Sequence, residues 1–545
     1  MANCLRWGVI LMFLASMAFA TDYPKYPGFG TTYEPLDSWI YPAFDRLAAL
    51  GFIPSAILGI KPWTRLECAR LLEEASDTDM PSGHADEAAN LLARLRDEFA
   101  PEIDSLEGSS NRGVGMDSAY LRSMNISGRP LTDGYHFGQT IINDYGRPYS
   151  RGENVVLGGS VEAFDGPFSI YSRGEYQHAP ASPADSTAVL KLISRVDQVP
   201  FPPAVNSSST DQFRLLDTYA TVNLSNTQIS FGKESMWWGP DYGSSFLMSN
   251  NAEPIYMFNV DRITPFKLPW IFSGLGPIRT DFFLGKLSGH HYPARPWFHG
   301  EKFSFKPTEN LEFGISRTVV FAGVGHPLTA RAFYKSYFSV GDRLGSGFDP
   351  GDRKGGFDFS YRIPGLRKWL TLYNDAFSDD DPSPIAAPRR ASMNPGIYIP
   401  QIPKFNKLDL RAEAVYTAIP GHGSGTFVYW NSHYHDSYTN KLNLLGSWIG
   451  RDAKGFQLWS TYWFSAQNTV QAGFRHSLVD PKFIPGGGTL NDISGRANWQ
   501  VRPDLMLNTS LEVERWNYPF LSSTIQHNVV FGAGLSFGPK LWRSR

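Results

Sequence analysis

Cysteine is nearly absent from this chain of 545 residues, and two Cys cannot build a disulfide framework or a Cys-based zinc site. An excess of one charge is missing as well. With 50 Lys and Arg against 52 Asp and Glu, there is no basic footprint for nucleic acid. Charge is scarce at 19%, beside 42% apolar and 14% aromatic residues, which excludes a disordered chain. After residue 20 no apolar stretch reaches 18 residues, so no helical membrane span is expected. G-x-S-x-G, H-E-x-x-H and Gly-rich phosphate loops are all missing, and the expectation is a protein that is not an enzyme and carries no cofactor.

What is present begins with a leader. Arg6 precedes the apolar run Gly8 to Leu14, and Ala18-Phe19-Ala20 offers a small-x-small cleavage site, so residues 1–20 read as a secretory signal peptide. Cys4 lies before that run, unlike a lipoprotein anchor, and Cys68 is expected to pack inside a helix rather than react. An exported chain without a helical span is either soluble outside the inner membrane or a β-barrel.

Residues 21–110 read as a helical bundle. Asp37-Ser38 can cap a segment that ends at Gly51, a residue suited to the left-handed C-cap position. Thr64-Arg65-Leu66-Glu67 has the form of a capping box, and Cys68, Leu71, Leu72 and Ala75 behind it fall on one helical face. Ala88, Leu92, Leu95 and Phe99 repeat that spacing.

From about residue 111 to the end the period changes to two. Tyr219, Thr221 and Asn223 oppose Ala220, Val222 and Leu224; Asp409, Arg411 and Glu413 share a face, as do Glu512 and Glu514. Strands of about 9 to 11 residues with one apolar and one charged face suit a transmembrane barrel, though a soluble sandwich also alternates. Loop lengths favour the barrel. Short turns (165–166, 225–227, 307–310, 465–468, 502–503) alternate with long segments (178–212, 236–254, 321–355, 377–405, 436–454, 478–491), as periplasmic turns alternate with outer loops. Eighteen strands are counted, the first at 135–143 with 116–126 as an extra or replacement, and another at 424–434.

Phe231 to Pro240, with Trp237-Trp238-Gly239-Pro240 at its end, and Ser249-Asn250-Asn251-Ala252-Glu253-Pro254 resemble the signature of the capsule assembly Wzi family. Gly314 to Thr318, Tyr438 to Asn440 and Gly446 to Gly450 extend the similarity along nearly the whole mature chain. The resemblance implies a mainly β fold: an outer-membrane antiparallel barrel of about eighteen strands over a periplasmic helical bundle. It also implies a lectin that retains capsular or exopolysaccharide at the cell surface. Membrane lipid is the other expected partner. In the helical part, Trp39, Leu47, Gly51, Pro62, Thr64-Arg65 and Glu67 resemble S-layer homology modules, which bind cell-wall polymer; the usual opening Phe-x-Asp-Val is missing. The strand ending at Phe537 stops short of the C-terminus, where barrels commonly end on an aromatic residue.

The candidate sugar contacts are Trp237, Trp238, Arg389 and Arg390, expected in outer loops, with Tyr398, Trp430, Tyr434 and Tyr438 near enough along the chain to add stacking surfaces. Aromatic faces stack on sugar rings, and Arg forks pair with uronate or pyruvate groups; girdle and loop packing are the plainer uses of the same rings. Ser249, Asn250 and Asn251 are expected to satisfy irregular backbone in the lumen. His433 and His435 share a face if a strand runs there, and Asp349, Asp352 and Asp379 to Asp381 offer carboxylates, but neither group makes a known metal motif. Glu413, Glu512 and Glu514 read as lumen charge paired with Arg411 or Arg475 rather than as a glycosidase pair. The rivals left open are a diffusion porin and an outer-membrane hydrolase.

Overall fold

Period-two alternation decides which face of each strand meets lipid, and here the polar face turns inward. A computed structural model describes residues 21–22, 28–77, 85–338, 351–366, 369–379 and 383–538; the expected signal peptide lies outside them. Eighteen antiparallel strands close into one ring. They are β1 (Arg112–Ile126), β2 (Gly152–Asp165), β3 (Phe168–Ala179), β4 (Thr210–Leu224), β5 (Thr227–Glu234) and β6 (Ile255–Arg262). Next come β7 (Ile278–Lys286), β8 (Trp297–Thr308), β9 (Leu311–Phe321), β10 (Asp352–Arg362), β11 (Thr371–Asp379) and β12 (Ser392–Ile399). The ring is completed by β13 (Leu410–Tyr416), β14 (Ala453–Trp463), β15 (Thr469–Val479), β16 (Gly488–Arg502), β17 (Leu505–Asn517) and β18 (Gln526–Phe537). Closure runs through β18 and β1, with Val530 opposite Ile126 and Phe537 opposite Ala119.

Phe168, Phe213, Phe231, Ile493 and Val513 are exposed on the outside, while Glu175, Gln228, Lys302, Arg475 and Glu514 are buried inside. An apolar exterior around a polar lumen is the surface of a membrane-spanning barrel. Most short turns lie at one rim and most long connections at the other; the exception is the connection 263–277 between β6 and β7, which is long and lies at the short-turn rim.

Two expected strands are corrected. The first strand is β1, the replacement considered above; residues 135–143 instead fold into the lumen, where Tyr135 and Phe137 join the largest apolar cluster. Residues 424–434 also lie in the lumen, and their place in the ring is taken by β12. Pro395 and Gly396 interrupt the alternation of β12, which hid it. Gly396 is required there because a Cβ would stand 2.2 Å from the Tyr373 ring. Conversely, Thr426 to Trp430 has the β-branched and aromatic composition of a strand because it is buried, and burial is much of what β-propensity measures.

Helices α1 (Ile40–Leu50), α2 (Arg65–Asp77), α3 (Ala85–Glu98) and α4 (Ala100–Leu106) sit in the short-turn mouth of the barrel. Gly51 closes α1 in the left-handed conformation, φ 95°, its N–H reaching the Leu47 and Ala48 carbonyls. Asp37 and Ser38 do not cap α1 as expected: Trp39 is the N-cap, and Asp37 reaches across to Arg173 of β3 at 2.8 Å. Only half of the capping box forms. Glu67 N–H donates to Thr64 Oγ1 at 3.2 Å, while the Glu67 carboxylate is held by Arg70 at 2.7 Å. Cys68 is fully buried, and burial pushes its thiol pKa well above the usual value. Two more helices, α5 (Thr187–Asp197) and α6 (Ala330–Phe338), belong to long connections.

Candidate functional site

The lumen is partly filled from both ends. At the short-turn end, charged side chains of the wall grip the helical segment. Arg411 of β13 pairs with Asp45 at 3.2 Å, Arg362 donates to Ala48 O at 2.6 Å, and Arg279 donates to the Ile60 and Pro62 carbonyls at 3.0 Å. Glu312 accepts from the Leu58 and Gly59 N–H groups at 2.9 and 2.8 Å.

The segment 235–254 leaves the opposite rim and descends inside. Trp237 and Trp238 form a two-residue antiparallel ladder with Lys61 and Ile60, so a long connection from the opposite rim meets the helical segment within the lumen. The expected surface platform is therefore corrected: both Trp residues are buried, Trp238 donating Nε1–H to Asp281 at 2.9 Å and packing on Phe283. Gly239 continues the contact through its N–H to Gly59 O at 3.0 Å, and Pro240 follows. Glu413 then accepts from Tyr242 N–H at 2.6 Å and Gly243 N–H at 3.1 Å. This is a positioning role that pairing with Arg411 had not anticipated.

Ser249, Asn250 and Asn251 hold irregular backbone. Ser249 Oγ donates to Gly446 O at 2.8 Å, Asn250 O accepts from Tyr145 N–H at 2.6 Å, and Asn251 Oδ1 accepts from Asn143 N–H at 3.1 Å.

Above this floor the connection 417–452 completes the seal. Tyr429 lies between Phe377 and Tyr438, with ring centroids 4.9 and 5.6 Å apart, and Tyr438 donates to Leu247 O at 2.8 Å. Tyr434 joins the same apolar cluster, and Trp430 is half-buried. Tyr434 and Tyr438 are thus packing residues rather than surface rings. A polar clamp ties three connections together: His136 bridges Asp133 at 2.7 Å and Asp197 at 2.8 Å, and Arg451 holds Asp197 at 2.6 Å. Burial disfavours the charged His136 ring, but the two carboxylates outweigh it and push its pKa up to about 9.

Tyr398 stands far from this cluster. The existence of β12 carries it to the short-turn end, where it lies under the Arg411 guanidinium at 3.7 Å and in the cluster with Ala49 and Tyr373. The expected single loop 377–405 is thereby divided. Arg389 and Arg390 remain exposed at the long-connection rim, Arg390 over the Phe427 ring at 4.9 Å. His433 and His435 occupy no strand, so the shared-face argument lapses, and among the described residues no cluster of three metal-ligating side chains occurs. Asp352 and Asp379 both pair with the buried Lys354, at 2.7 and 2.9 Å; Asp349, Asp380 and Asp381 lie outside the described residues. Arg475 pairs with Asp492 and approaches Glu512 at 3.6 Å and Glu514 at 3.9 Å, as lumen charge was expected to do.

Two surfaces remain for binding. One is the long-connection rim. Among the described residues of those connections, exposed Lys and Arg include Arg129, Arg151, Lys191, Arg195, Arg295, Arg331, Arg389, Arg390, Lys441 and Lys482, whereas Asp185 is the one exposed acid. No composition total could reveal this, because acidic residues elsewhere cancel it. The other is a chamber of about 1300 Å³ between the helical segment and the descending loop. Its Asp241 and Tyr242 directly follow the Trp-Trp-Gly-Pro motif and were passed over in the sequence.

Residues 121–530 match the family described as capsule assembly protein Wzi. An uncharacterized 55.8 kDa protein in the cps region of Klebsiella pneumoniae is 26% identical over 176 residues, which is 32% of this chain. The match spans 35% of that relative's length. Among solved structures, Wzi of Escherichia coli is described as an outer membrane protein involved in group 1 capsule assembly and a carbohydrate-binding β-barrel. It superposes with a TM-score of 0.66 at 19% identity, covering 94% of this chain and 100% of that one. OccK7 (OpdD) of Pseudomonas aeruginosa gives a TM-score of 0.41 at 10% identity, over 78% of this chain and 100% of that one. With its motif lining the lumen and the family match covering the barrel from β1 to β18, this chain belongs to the capsule assembly Wzi family.

Proposed function

We propose that this protein is an outer-membrane lectin whose long-connection rim retains an acidic capsular or exopolysaccharide, with the short-turn mouth and its helices facing the periplasm. Membership of the Wzi family supports the reading, as does the carbohydrate binding described for the Escherichia coli protein. The observation that carries it is the segregation of charge. Exposed basic side chains crowd the rim of a chain whose formal net charge is −2. Guanidinium and ammonium groups spaced around a rim bind uronate, pyruvate or phosphate groups weakly one by one and strongly along a polymer, because each further contact is effectively intramolecular.

The role is binding rather than catalysis. The carboxylates Glu413, Glu512 and Glu514 are committed to loop amides, Arg475 and neighbouring side chains. The packed lumen argues against a diffusion porin, and no single-channel steps are expected in planar bilayers. The helical segment acts as a plug; its Arg65, the counterpart of a wall-binding module's basic residue, is already held by Glu34, Glu98 and Glu102.

The test is a pull-down of the host's purified surface polysaccharides with the refolded barrel, beside a deletion strain. Capture of an acidic polymer, together with polymer made but shed into the medium by that strain, is the expected result. Normal retention without the protein would refute the reading.

A further inference from the structure

The chamber is a second place for a ligand, on the opposite side of the seal from the basic rim. At about 1300 Å³ it exceeds the roughly 300–1,000 Å³ of a small-molecule pocket, room for several sugar rings. Its lining is rich in rings that carry a polar edge: Trp39, Tyr120, Tyr145, Trp237, Tyr242 and Trp459. Such rings bury an apolar face against a ligand while keeping a hydrogen-bonding group at the rim. Tyr242, half-buried, is braced edge-on by Trp459 with centroids 5.0 Å apart, and its hydroxyl accepts from Gln471 Nε2 at 3.0 Å.

The ceiling is also short of hydrogen bonds. Trp237 Nε1, Tyr145 Oη, Asn143 Oδ1, Asn250 Oδ1 and both carboxyl oxygens of Asp241 are buried without a protein partner. Buried polar atoms are seldom left so, and because these have next to no accessible surface a ligand in the chamber reaches them only as the ceiling side chains shift. Burial, with Asp375 and Glu413 nearby, holds the Asp241 carboxyl well above the usual carboxylate range, so it attracts no cation strongly. Acceptors outnumber donors, which suits hydroxyl groups. Charged side chains of the same lining are paired with one another, Asp37 with Arg173, Asp45 with Arg411 and Asp144 with Arg122 and Arg147, so these pairs favour neither an anion nor a cation.

We infer that this chamber binds a short, uncharged oligosaccharide, reached from the short-turn mouth, with Tyr242 as a stacking residue and the Asp241 carboxyl accepting or donating to sugar hydroxyls. The inference extends the reading of the barrel as a saccharide binder to a site of different charge preference.

Titration calorimetry on the full-length protein in detergent tests it with maltotetraose, cellotetraose and N-acetylchitotetraose, beside tetragalacturonate. At least one neutral tetrasaccharide binds saturably at one site per barrel. Tyr242→Ala and Asp241→Leu weaken it about tenfold or more, while Tyr292→Ala, at the rim, leaves it unchanged. Heat-modifiable gel mobility verifies that each variant is folded. Hydroxyl-radical footprinting of the unaltered protein supplies a readout that needs no variant: the bound sugar protects Tyr242 and Trp459 but not the exposed rim residue Tyr292.

The inference is overturned by no neutral binding up to about 10 mM, by preference for tetragalacturonate, or by protection confined to the rim. Failure of polymer capture with intact tetrasaccharide binding would sink the rim reading alone, and the converse would sink only the chamber.

Discussion

The two ends of the lumen are filled by different physics. The helical segment has an apolar core, Phe44, Leu47, Trp63, Leu71, Leu72, Leu95 and Phe99 among others, to which the barrel adds Trp463 and Ala466 among the described residues, while Ala49 packs on the wall residues Tyr373 and Tyr398 and Ile60 joins the cluster of the seal. It is fastened to the wall by charged side chains, Arg173, Arg279, Glu312, Arg362 and Arg411. The outer seal has no core of its own. Its Phe246, Tyr429, Tyr438 and Trp448 share one continuous cluster with Phe283, Phe298, Phe377, Val479 and Trp516 of the strands. A segment whose core is mostly its own can leave without unmaking the wall; a seal that shares the wall's core cannot. Stability of the barrel therefore resides with the outer seal, and the helical segment is a tethered plug.

The comparison breaks most directly at Trp238, which belongs to the outer connection yet pairs with the plug. Trp238→Ala removes a buried ring and strands the Asp281 carboxyl, a loss of about 3–5 kcal/mol. Heat-modifiable mobility should then be lost at a distinctly lower temperature for the whole barrel. A barrel that melts as before, with only the helices loosened, would place Trp238 in the wrong unit.

Arg279→Ala examines the plug. The guanidinium is buried, pairs with Asp261 at 2.8 Å and holds two carbonyls of the helical segment. Breaking such a pair costs about 3 kcal/mol or more. Here the expected effect is local: amide hydrogen exchange accelerates in α1 and α2, while the strands of the barrel keep their protection. Uniform loss of protection would show that the two ends are one cooperative unit after all.

The sequence disclosed the wall far better than the seals. Period-two alternation is imposed on every strand by lipid on one side and water-compatible charge on the other, so the count came out at eighteen and most boundaries fell within a few residues. The seals obey no period. Thr426 to Trp430 carries strand-like residues because it is buried, and Ser392 to Ile399 hides a strand because Gly396 must yield to the Tyr373 ring. Those two errors moved Tyr398 to the wrong end and turned packing residues, Tyr434 and Tyr438, into surface candidates. Arg389 and Arg390 lie exposed in a long connection, which could be read locally, since a charge run in a connection needs no partner from across the chain. The inward descent of Trp237-Trp238 required a long-range ladder with Ile60-Lys61, and nothing local announces that.

The polar clamp of the outer seal sharpens the contrast through pH. His136 has its pKa raised from 6.5 to about 9 by Asp133 and Asp197, against the opposing effect of burial. A raised folded-state pKa stabilises fully below the unfolded value, near 6.5, and the contribution fades as pH climbs through about 9. At 1.36 kcal/mol per pH unit this amounts to roughly 3 kcal/mol between those limits. The outer seal should thus loosen in mild alkali, read as falling protection factors of the α5 amides once the base-catalysed intrinsic exchange rate is divided out, whereas His136→Gln should show protection factors with little dependence on pH over the same window. Loosening that begins below pH 6 would contradict the sign.

The smallest effect on stability should accompany the largest on retention. Arg389 and Arg390 are exposed in the connection at the rim, and replacing both by Ala changes folding free energy by about 1 kcal/mol or less, the cation–π contact of Arg390 over Phe427 being the main loss. Their worth lies in charge offered to a polymer. A single rim contact with a uronate is weak and screened within about 8 Å at physiological salt, but many barrels gripping one chain multiply the effect of each lost contact. The double variant should melt with the parent and release polymer into the medium several-fold faster, and raising the salt concentration should make the parent behave like the variant. Equal release from both proteins at low salt would shift the gripping surface to the other basic residues of the rim, whereas equal release from the deletion strain would remove it from the protein altogether.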